Sequence, residues 1–328
     1  MTATSALTPE MIDAAERRIA PHVLRTPVWQ WAPSPEAGAR AAALWLKLEL
    51  WQRTGTFKAR GAINTVLALS PDARARGLVA VSAGNHAIAT AWAAKVSGSH
   101  AHVVMLERSS AARVRACRAL GAEVEQVPDV HTAFERVRAI ESETGRTFVH
   151  PFEGLEVAAG TATLGREFAA QVAGLDAVVV PVGGGGLCAG VATALAQEAP
   201  GCRVYGVEPE GADSMRRSLA AGQPVALERV DTIADSLGAP HAAPVSFGLC
   251  QAHVHEVVTV SDDALRMAMR LIHASLKFAV EPACAATTAA VLGPLRDTLA
   301  GQRVGLVFCG SNIDAGEFAA LVAHDDRG

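Results

Sequence analysis

The sequence lacks the cysteine pattern of a small secreted protein. Six cysteines are spread over 328 residues, at positions 117, 188, 202, 250, 284 and 309, and none belongs to a C-x-x-C pair. Reduced thiols in a cytosolic enzyme fit this spacing better than disulfides do. Residues 1–10 also lack the charged and apolar segments of a secretory signal. We therefore expect a cytoplasmic protein.

A concentration of basic charge is absent as well. The formal net charge is −4, the isoelectric point is near 6.3, and Lys and Arg are scattered along the chain. This balance does not predict a nucleic-acid partner. Hydrophobic residues make up 50% of the chain and charged residues 19%, which is typical of a globular protein with one large domain or two ordinary ones.

Residues 177–196 form an uncharged segment with the length of a membrane span. Pro181 and four consecutive glycines interrupt it, and in a helix each Gly costs about 1 kcal/mol and Pro about 3 kcal/mol. The segment is better explained as a buried strand over residues 177–182, a glycine loop, and a helix from about Leu187. No membrane partner is expected.

Strands and helices alternate in two series, which predicts the α/β class. An N-terminal helix begins after Thr8 and ends before Pro21. The first series has strands at 78–81, 102–106 and 123–127, with helices at 85–96, 111–120 and 131–143. The second has strands at 177–182, 203–208, 256–260 and 303–308, and a helix at 264–278. We predict a large domain of residues 1–70 and 148–328, a small domain of residues 71–147, and a ligand cleft between them.

The segment QRTGTFKARGA (residues 52–62) places Lys58 between two glycines at a predicted helix start. The positive end of a helix dipole disfavours a cation, which suggests that this amine has a chemical role. Gly55 and Gly61 allow another group to approach the backbone closely. Taken alone, the segment is equally typical of a surface lysine.

The segment PVGGGGL (residues 181–187) puts Gly183, Gly184, Gly185 and Gly186 between a strand and a helix. Consecutive backbone N–H groups at a helix start favour a phosphate, although a flexible turn is the alternative. Since no G-K-[ST] follows, the segment is not a P-loop. A lysine amine and a phosphate cradle are the two attachments that pyridoxal phosphate needs.

A third strand-to-helix junction, SAGNHA (residues 82–87), offers backbone N–H groups and the side chains of Ser82 and Asn85. Such a junction can bind a substrate carboxylate, and an ordinary helix cap is the alternative.

These three motifs, in this order, resemble the serine/threonine dehydratase family of fold-type II pyridoxal-phosphate enzymes, which has serine racemase-like relatives. The downstream segments VEP (207–209), TIAD (232–235), VEPA (280–283) and FCGSN (308–312) extend the resemblance over nearly the whole chain. It implies two open-sheet α/β domains with helices on both faces, like the tryptophan synthase β subunit.

The resemblance also implies roles for individual residues. Lys58 would form a Schiff base with the cofactor and later remove the substrate α-proton. Phe57 would lie beside the pyridine ring, Asn85 would bind its 3-hydroxyl, and Cys309 would face its nitrogen as a neutral thiol. The phosphate would lie on Gly183, Gly184, Gly185 and Gly186, the carboxylate on Ser82, Gly84, Asn85 and His86, and the β-substituent near Thr161.

The implied reaction is β-elimination from an L-β-hydroxy amino acid to a 2-oxo acid and ammonia, an ammonia-lyase activity. L-threonine or L-serine is the first expectation. Ala83 occupies the position where serine racemases place a second serine, so a lyase is favoured over a racemase. Departures at residues 160–163 (GTAT) and at Ser236 leave open a bulkier substrate such as phenylserine or 3-hydroxyaspartate.

The segment EPEGADS (residues 208–214) resembles the family's cation site. Its ligands would be Glu208, the carbonyl of Ala212 and Ser214. One carboxylate with neutral oxygens favours K⁺ over Mg²⁺, and a loop with acidic caps is the alternative. The resemblance further implies a homodimer, and no regulatory extension is expected after the FCGSN segment.

Overall fold

The computed structural model describes residues 6–32, 38–82 and 84–323. The strands are Val28–Trp31 (β1), Ala43–Leu48 (β2), Leu78–Val81 (β3), Ala101–Leu106 (β4), Glu123–Val127 (β5), Thr147–Phe148 (β6), Ala177–Pro181 (β7), Arg203–Pro209 (β8), Glu256–Val260 (β9) and Arg303–Phe308 (β10). Within the described ranges they form a six-stranded sheet in the order β1-β2-β10-β7-β8-β9 and a four-stranded sheet in the order β5-β4-β3-β6.

Helices separate most of these strands. They are Pro9–Ile19 (α1), Lys58–Ala68 (α2), Pro71–Arg76 (α3), Asn85–Val96 (α4), Ala111–Ala119 (α5), Val130–Thr144 (α6), Leu155–Gln171 (α7), Gly186–Glu198 (α8), Ser214–Ala221 (α9), Pro244–His253 (α10), Asp262–Leu276 (α11), Pro282–Leu292 (α12) and Ala315–Ala323 (α13). The predicted α/β class and both series of elements are confirmed.

The larger sheet is parallel except for its edge strand β1, which pairs antiparallel with β2. Every residue of the central strand β7 is buried, so both faces of the sheet are covered. Helices α8 and α12 each contact β7 and β8. Strands β1 and β2 were not predicted from the sequence. β2 pairs with β10 from the other end of the chain, and β1 pairs with β2 at the edge of the sheet.

The smaller sheet is parallel throughout. Alternate residues of β4 face its two sides, with Val103 in the core beside α4 and Val104 in the core beside α6. A short strand, β6, adds a fourth member that was not predicted. The proposed small domain of residues 71–147 stays a prediction. Strand β6 extends the smaller sheet to Phe148, one residue beyond the proposed boundary.

The uncharged segment of residues 177–196 forms strand β7, a glycine loop and the greater part of helix α8, as the sequence predicted. Across residues 6–32, 38–82 and 84–323, none of the helices has the length and apolar character needed to cross a bilayer.

Candidate active site

The three predicted motifs meet at the ends of parallel strands. Lys58 begins α2 directly after Phe57, whose backbone N–H donates to the carbonyl of Cys309 at the end of β10 (3.0 Å). A cavity at this point is lined by Phe57, Lys58, His86, His150, Thr161 and Gly186, among others. The tertiary structure therefore brings residues of the lysine, carboxylate and glycine motifs to one place.

The Lys58 side chain is half-buried, and its amine is held by one hydrogen bond. Its Nζ donates to the carbonyl of Pro151 at 2.6 Å. Burial lowers the pKa of Lys58 to about 8, although Cys309 and Glu281 act in the opposite direction. About a tenth of this amine is therefore unprotonated at pH 7, far more than for an ordinary lysine, and a nucleophile or a base requires the unprotonated form.

A buried ionic network lies on the same helix as Lys58. The fully buried Arg60 guanidinium donates to both carboxylate oxygens of Glu49 (2.8 and 2.9 Å) and to both of Glu167 (2.8 and 2.9 Å). Lys47, also fully buried, donates to Glu167 at 2.8 Å. These charges compensate one another and fix the first turn of α2, which carries Lys58.

The glycine loop has no room for side chains. A Cβ on Gly184 would lie 2.2 Å from the ring of Phe152, and one on Gly186 would lie 2.4 Å from the Phe152 carbonyl. Gly185 has φ +93°, a conformation that favours glycine. The first N–H groups of α8 have no partner within the helix and can bind an anion. The predicted phosphate cradle fits this geometry.

Thr161 supports this loop. Its hydroxyl donates to the carbonyl of Gly186 at 2.8 Å, and its Oγ1 would lie 2.1 Å from a Cβ on Gly190. The Thr161 side chain lines the cavity, but its proton is directed at the loop. Its predicted contact with substrate stays a prediction.

The carboxylate motif forms a tight turn between β3 and α4. The Ser82 hydroxyl accepts from the backbone N–H of Gly84 at 3.0 Å. A Cβ on Gly84 would lie 2.9 Å from Nη1 of Arg113, so the guanidinium lies close against this glycine. Ala83 lies outside the described residues, and the argument against a racemase stays a prediction.

His86 is neutral in this site. Its Nε2 lies 2.7 Å from the carbonyl of Val149 and therefore carries the ring proton. Burial, with a smaller effect from Lys58, lowers the pKa of His86 to about 3. Since Nδ1 then has no proton, only the backbone N–H of His86 can donate to a carboxylate.

Asn85 is buried and connects several parts of the site. Its Nδ2 donates to both oxygens of Glu281 (3.0 and 2.9 Å) and to the hydroxyl of Ser236 (3.1 Å). Glu281 is itself buried, and burial raises its pKa to about 7. The Asn85 amide nitrogen is a donor, which suits the predicted contact with a cofactor hydroxyl.

Cys309 carries a neutral thiol, in agreement with its predicted role. A hydrogen bond with the Cys284 thiol and burial raise the pKa of Cys309 well above its usual range. A neutral thiol does not force protonation of a pyridine nitrogen beside it.

A row of four rings includes His150, which lines the cavity. Ring centroids are 5.5 Å apart for Phe148 and His150, 4.6 Å for His150 and Phe152, and 6.1 Å for Phe152 and His241. Nδ1 of His150 accepts from the backbone N–H of Glu153 at 2.9 Å, and burial lowers the pKa of His150 to about 4. The sequence reasoning missed this row, although residues 148, 150 and 152 alternate as they do along one face of an extended chain.

Three further residues were also missed as members of the site, namely Glu281, Arg113 and Asn312. Arg113 reaches from α5 to Asp235 (2.5 Å) and to the carbonyl of Asn312 (3.2 Å). Glu281 and Asn312 lie in the VEPA and FCGSN segments. These segments supported the family resemblance, and nothing else in the sequence pointed to the two residues. Arg113 had none, because it is one of several arginines on its helix.

The proposed cation ligands lie close together. The Glu208 carboxylate accepts from the backbone N–H groups of Met215 (2.9 Å) and Arg216 (2.8 Å), and burial raises its pKa to about 8. The buried Ser214 hydroxyl has no partner among the described residues. No cluster of three His, Cys, Asp or Glu side chains that could hold a metal ion occurs in the described ranges. The ligand set stays a prediction.

Comparisons with known proteins agree with these features. The family model described as pyridoxal-phosphate dependent enzyme matches residues 19–310. Phenylserine dehydratase from Ralstonia pickettii is 56% identical over 273 residues, which cover 83% of this chain and 84% of that protein. L-threo-3-hydroxyaspartate ammonia-lyase from Saccharomyces cerevisiae is 35% identical over 322 residues, 97% of each chain. The structure of maize serine racemase matches with a TM-score of 0.88 and 34% identity, over 94% of this chain and 96% of that one.

The family match spans most of the sequence and includes Lys58, the glycine loop and Cys309. The resemblance inferred from the three motifs is confirmed, as is pyridoxal phosphate as the cofactor. This chain belongs to the pyridoxal-phosphate dependent enzyme family, with the fold-type II architecture.

Proposed function

We propose that this protein is a pyridoxal-phosphate dehydratase for a β-hydroxy amino acid with a bulky, uncharged β-substituent of the phenylserine type. The observation that carries the choice of substrate is the row of rings Phe148, His150, Phe152 and His241, of which His150 lines the Lys58 cavity. Its similarity to phenylserine dehydratase supports the same choice. The substrate order expected from the sequence, with threonine or serine first, is therefore reversed.

The rings offer edges and faces to an aryl group. Interplanar angles of 65–89° show that the rings pack edge to face, an arrangement that an added phenyl ring can extend. The His150 imidazole adds no positive charge at neutral pH, because burial lowers its pKa to about 4.

The charges at the site disfavour a second carboxylate on the substrate. The Arg113 guanidinium is paired with Asp235 at 2.5 Å and lies 3.9 Å from Glu281. An anionic β-substituent, such as that of 3-hydroxyaspartate, would meet two acidic groups and one guanidinium that is already paired. An uncharged substituent avoids this cost.

The residues present divide the chemistry among them. Pyridoxal phosphate, when bound, draws electrons from the substrate α-carbon and makes its proton acidic. The Lys58 amine takes that proton, while the backbone N–H groups of the 82–86 turn hold the carboxylate. The β-hydroxyl then leaves, and the released enamine hydrolyses to a 2-oxo acid and ammonia.

A substrate panel tests this function. L-serine, L-threonine, threo- and erythro-phenylserine and 3-hydroxyaspartate are compared, with 2-oxo acid and ammonia followed together. We expect phenylserine to lead in kcat/KM by at least about tenfold, or ~1.4 kcal/mol. Threonine or serine in first place would overturn the choice of substrate. D-amino acid without ammonia would support the racemase alternative, and Lys58→Ala must abolish all turnover.

The quaternary structure and location follow from the same reasoning. We infer a homodimer on the family resemblance and a cytoplasmic location on the dispersed cysteines. Light scattering at several protein concentrations measures the first, and fractionation of the source cells measures the second.

A further inference from the structure

The side chain of Asn312 lies at the point where the lysine and carboxylate motifs meet. Its Nδ2 donates to the carbonyl of Thr54 at 2.7 Å and to Oδ1 of Asn85 at 2.9 Å. Thr54 lies four residues before Lys58, and Asn85 begins α4. One amide group therefore contacts both motifs.

The chemistry of these partners determines which way each amide faces. A backbone carbonyl can only accept, so the Asn312 atom that faces Thr54 must be the nitrogen. The same nitrogen faces Asn85, whose nearest atom must then be its oxygen. The Asn85 nitrogen is left to face the acceptor oxygens of Glu281 at 3.0 and 2.9 Å. The Asn312 nitrogen thus donates to both Thr54 and Asn85, and the Thr54 carbonyl fixes the orientation of the amide that orients Asn85.

The turn before Lys58 is shaped to admit Asn312. A Cβ on Gly55 would lie 2.4 Å from Oδ1 of Asn312, and Gly55 has φ +74°. Thr54 has φ +66°, which is uncommon for a β-branched residue. The backbone N–H of Ser311 also donates to the carbonyl of Gly55 at 3.1 Å. Gly55 therefore leaves room for the Asn312 side chain. The sequence indicated only that some group could approach the backbone at this glycine.

We propose that Asn312 is a positioning residue that sets the direction of the Asn85 amide and so aims its N–H donors at the cofactor ring oxygen. This inference rests on the proposed role of Asn85 in the site. An Asn85 amide turned the other way would present its oxygen to that ring oxygen and to Glu281. The contact with an ionised Glu281 would then join two acceptors, and Asn85 would have no N–H to offer the ring oxygen.

The Asn312→Asp variant should turn the Asn85 amide around. A carboxylate cannot donate to Thr54, and it attracts the Asn85 nitrogen away from the cofactor. In the reconstituted holoenzyme we expect a shifted absorption maximum of the bound cofactor, and cofactor affinity weakened by about tenfold or more. Gln126→Glu is the control, since it makes the same amide-to-acid change at an exposed position of β5.

Two further variants cover the case in which Asn312→Asp does not fold. Asn312→Ala removes the donors without adding charge, and Gly55→Ala displaces Asn312 while leaving its chemistry intact. Each should move the absorption maximum in the same direction as Asn312→Asp. The unfolding temperature of the apoenzyme is measured beside each spectrum, because a merely structural residue would lower it and leave the spectrum of the saturated holoenzyme unchanged. That result would overturn the inference.

Asn85→Ala separates this inference from the proposed site. If Asn85→Ala leaves the cofactor spectrum unchanged, the role of Asn85 fails and this inference fails with it. If Asn85→Ala shifts the spectrum and the Asn312 and Gly55 variants do not, the role of Asn85 stands and only the inference about Asn312 is wrong.

Discussion

The side-chain nitrogen of Asn85 lies 3.0 and 2.9 Å from the two carboxylate oxygens of Glu281. This contact joins the start of α4, beside the smaller sheet, to the residue that precedes α12 of the larger one. Both residues are buried, and burial raises the pKa of Glu281 to about 7 despite the hydrogen bond from Asn85. Asp235, Arg113 and Lys58 are the charged groups near this carboxyl.

This pKa gives stability a defined pH dependence. The folded state keeps the Glu281 proton up to about pH 7, whereas the unfolded chain loses it near 4.5. The contribution of Glu281 to the free energy of unfolding is therefore full below pH 4.5 and is lost as the pH rises through 7. Relative to wild type, the Glu281→Gln apoenzyme should gain on the order of 3 kcal/mol between pH 5 and pH 8. Urea unfolding at several pH values measures this, with the exposed Glu228→Gln as control, and parallel profiles would contradict it.

Removing the charge at Arg60 should be strongly destabilising. Arg60→Met leaves Glu49 buried and unpaired, and loss of one partner of a buried ion pair costs about 3–5 kcal/mol. Arg40→Met is the matched control, because its pair with Asp297 is exposed and such pairs contribute about 1 kcal/mol or less. Denaturant unfolding of both variants tests the difference. Equal losses would show that burial of the network does not matter.

An added methyl group in the glycine loop should weaken cofactor binding. In Gly184→Ala the new Cβ would lie 2.2 Å from the ring of Phe152, so the loop must shift. We expect the dissociation constant for pyridoxal phosphate to rise by at least about tenfold, or ~1.4 kcal/mol. Gly201→Ala, whose Cβ meets nothing within 4 Å, should bind the cofactor as wild type does. Titration of each apoenzyme with pyridoxal phosphate measures the dissociation constant. An unchanged value in Gly184→Ala would count against the glycine loop as the phosphate site.

The row of rings predicts a change of specificity. Phe152→Leu should reduce kcat/KM for phenylserine about 3- to 10-fold relative to threonine, because an edge-to-face contact is worth about 0.5–1.5 kcal/mol. Taking the ratio of the two substrates removes any shared loss of cofactor. Val225→Ala, at a half-buried position outside this row, is the control. A ratio equal to that of wild type would mean that the rings do not touch the substrate.

Potassium should stabilise the protein at the Glu208 site. At a concentration 100 times its dissociation constant, a bound ion adds about 2.7 kcal/mol to the free energy of unfolding. Thermal unfolding in KCl is compared with tetramethylammonium chloride at equal ionic strength, and with MgCl₂. Ser214→Ala should reduce the effect of K⁺. A larger effect of Mg²⁺ than of K⁺ would contradict the preference for a monovalent ion.

Much of the site could be predicted because its motifs are continuous along the chain. The position of Lys58 at a helix start, the glycine loop after β7 and the turn before α4 each depend on residues within one short segment. The strands of both series were predicted for the same reason, since β-branched runs bounded by Gly, Pro and charged residues specify their own ends. β2 was missed because its parallel partner, β10, is more than 250 residues away, and β1 was missed with it because β1 pairs with β2.

The sequence by itself determined the elements, the attachment points for the cofactor and the family. Only the tertiary structure decided which distant residues meet there, such as Arg113 with Asp235 and Asn312 with Asn85. It also decided the protonation of Lys58, His86 and Glu281, whose pKa values depend on burial and on nearby charges. The physical reason is that local conformation depends on neighbours in the chain, whereas solvation and hydrogen-bond direction depend on neighbours in space.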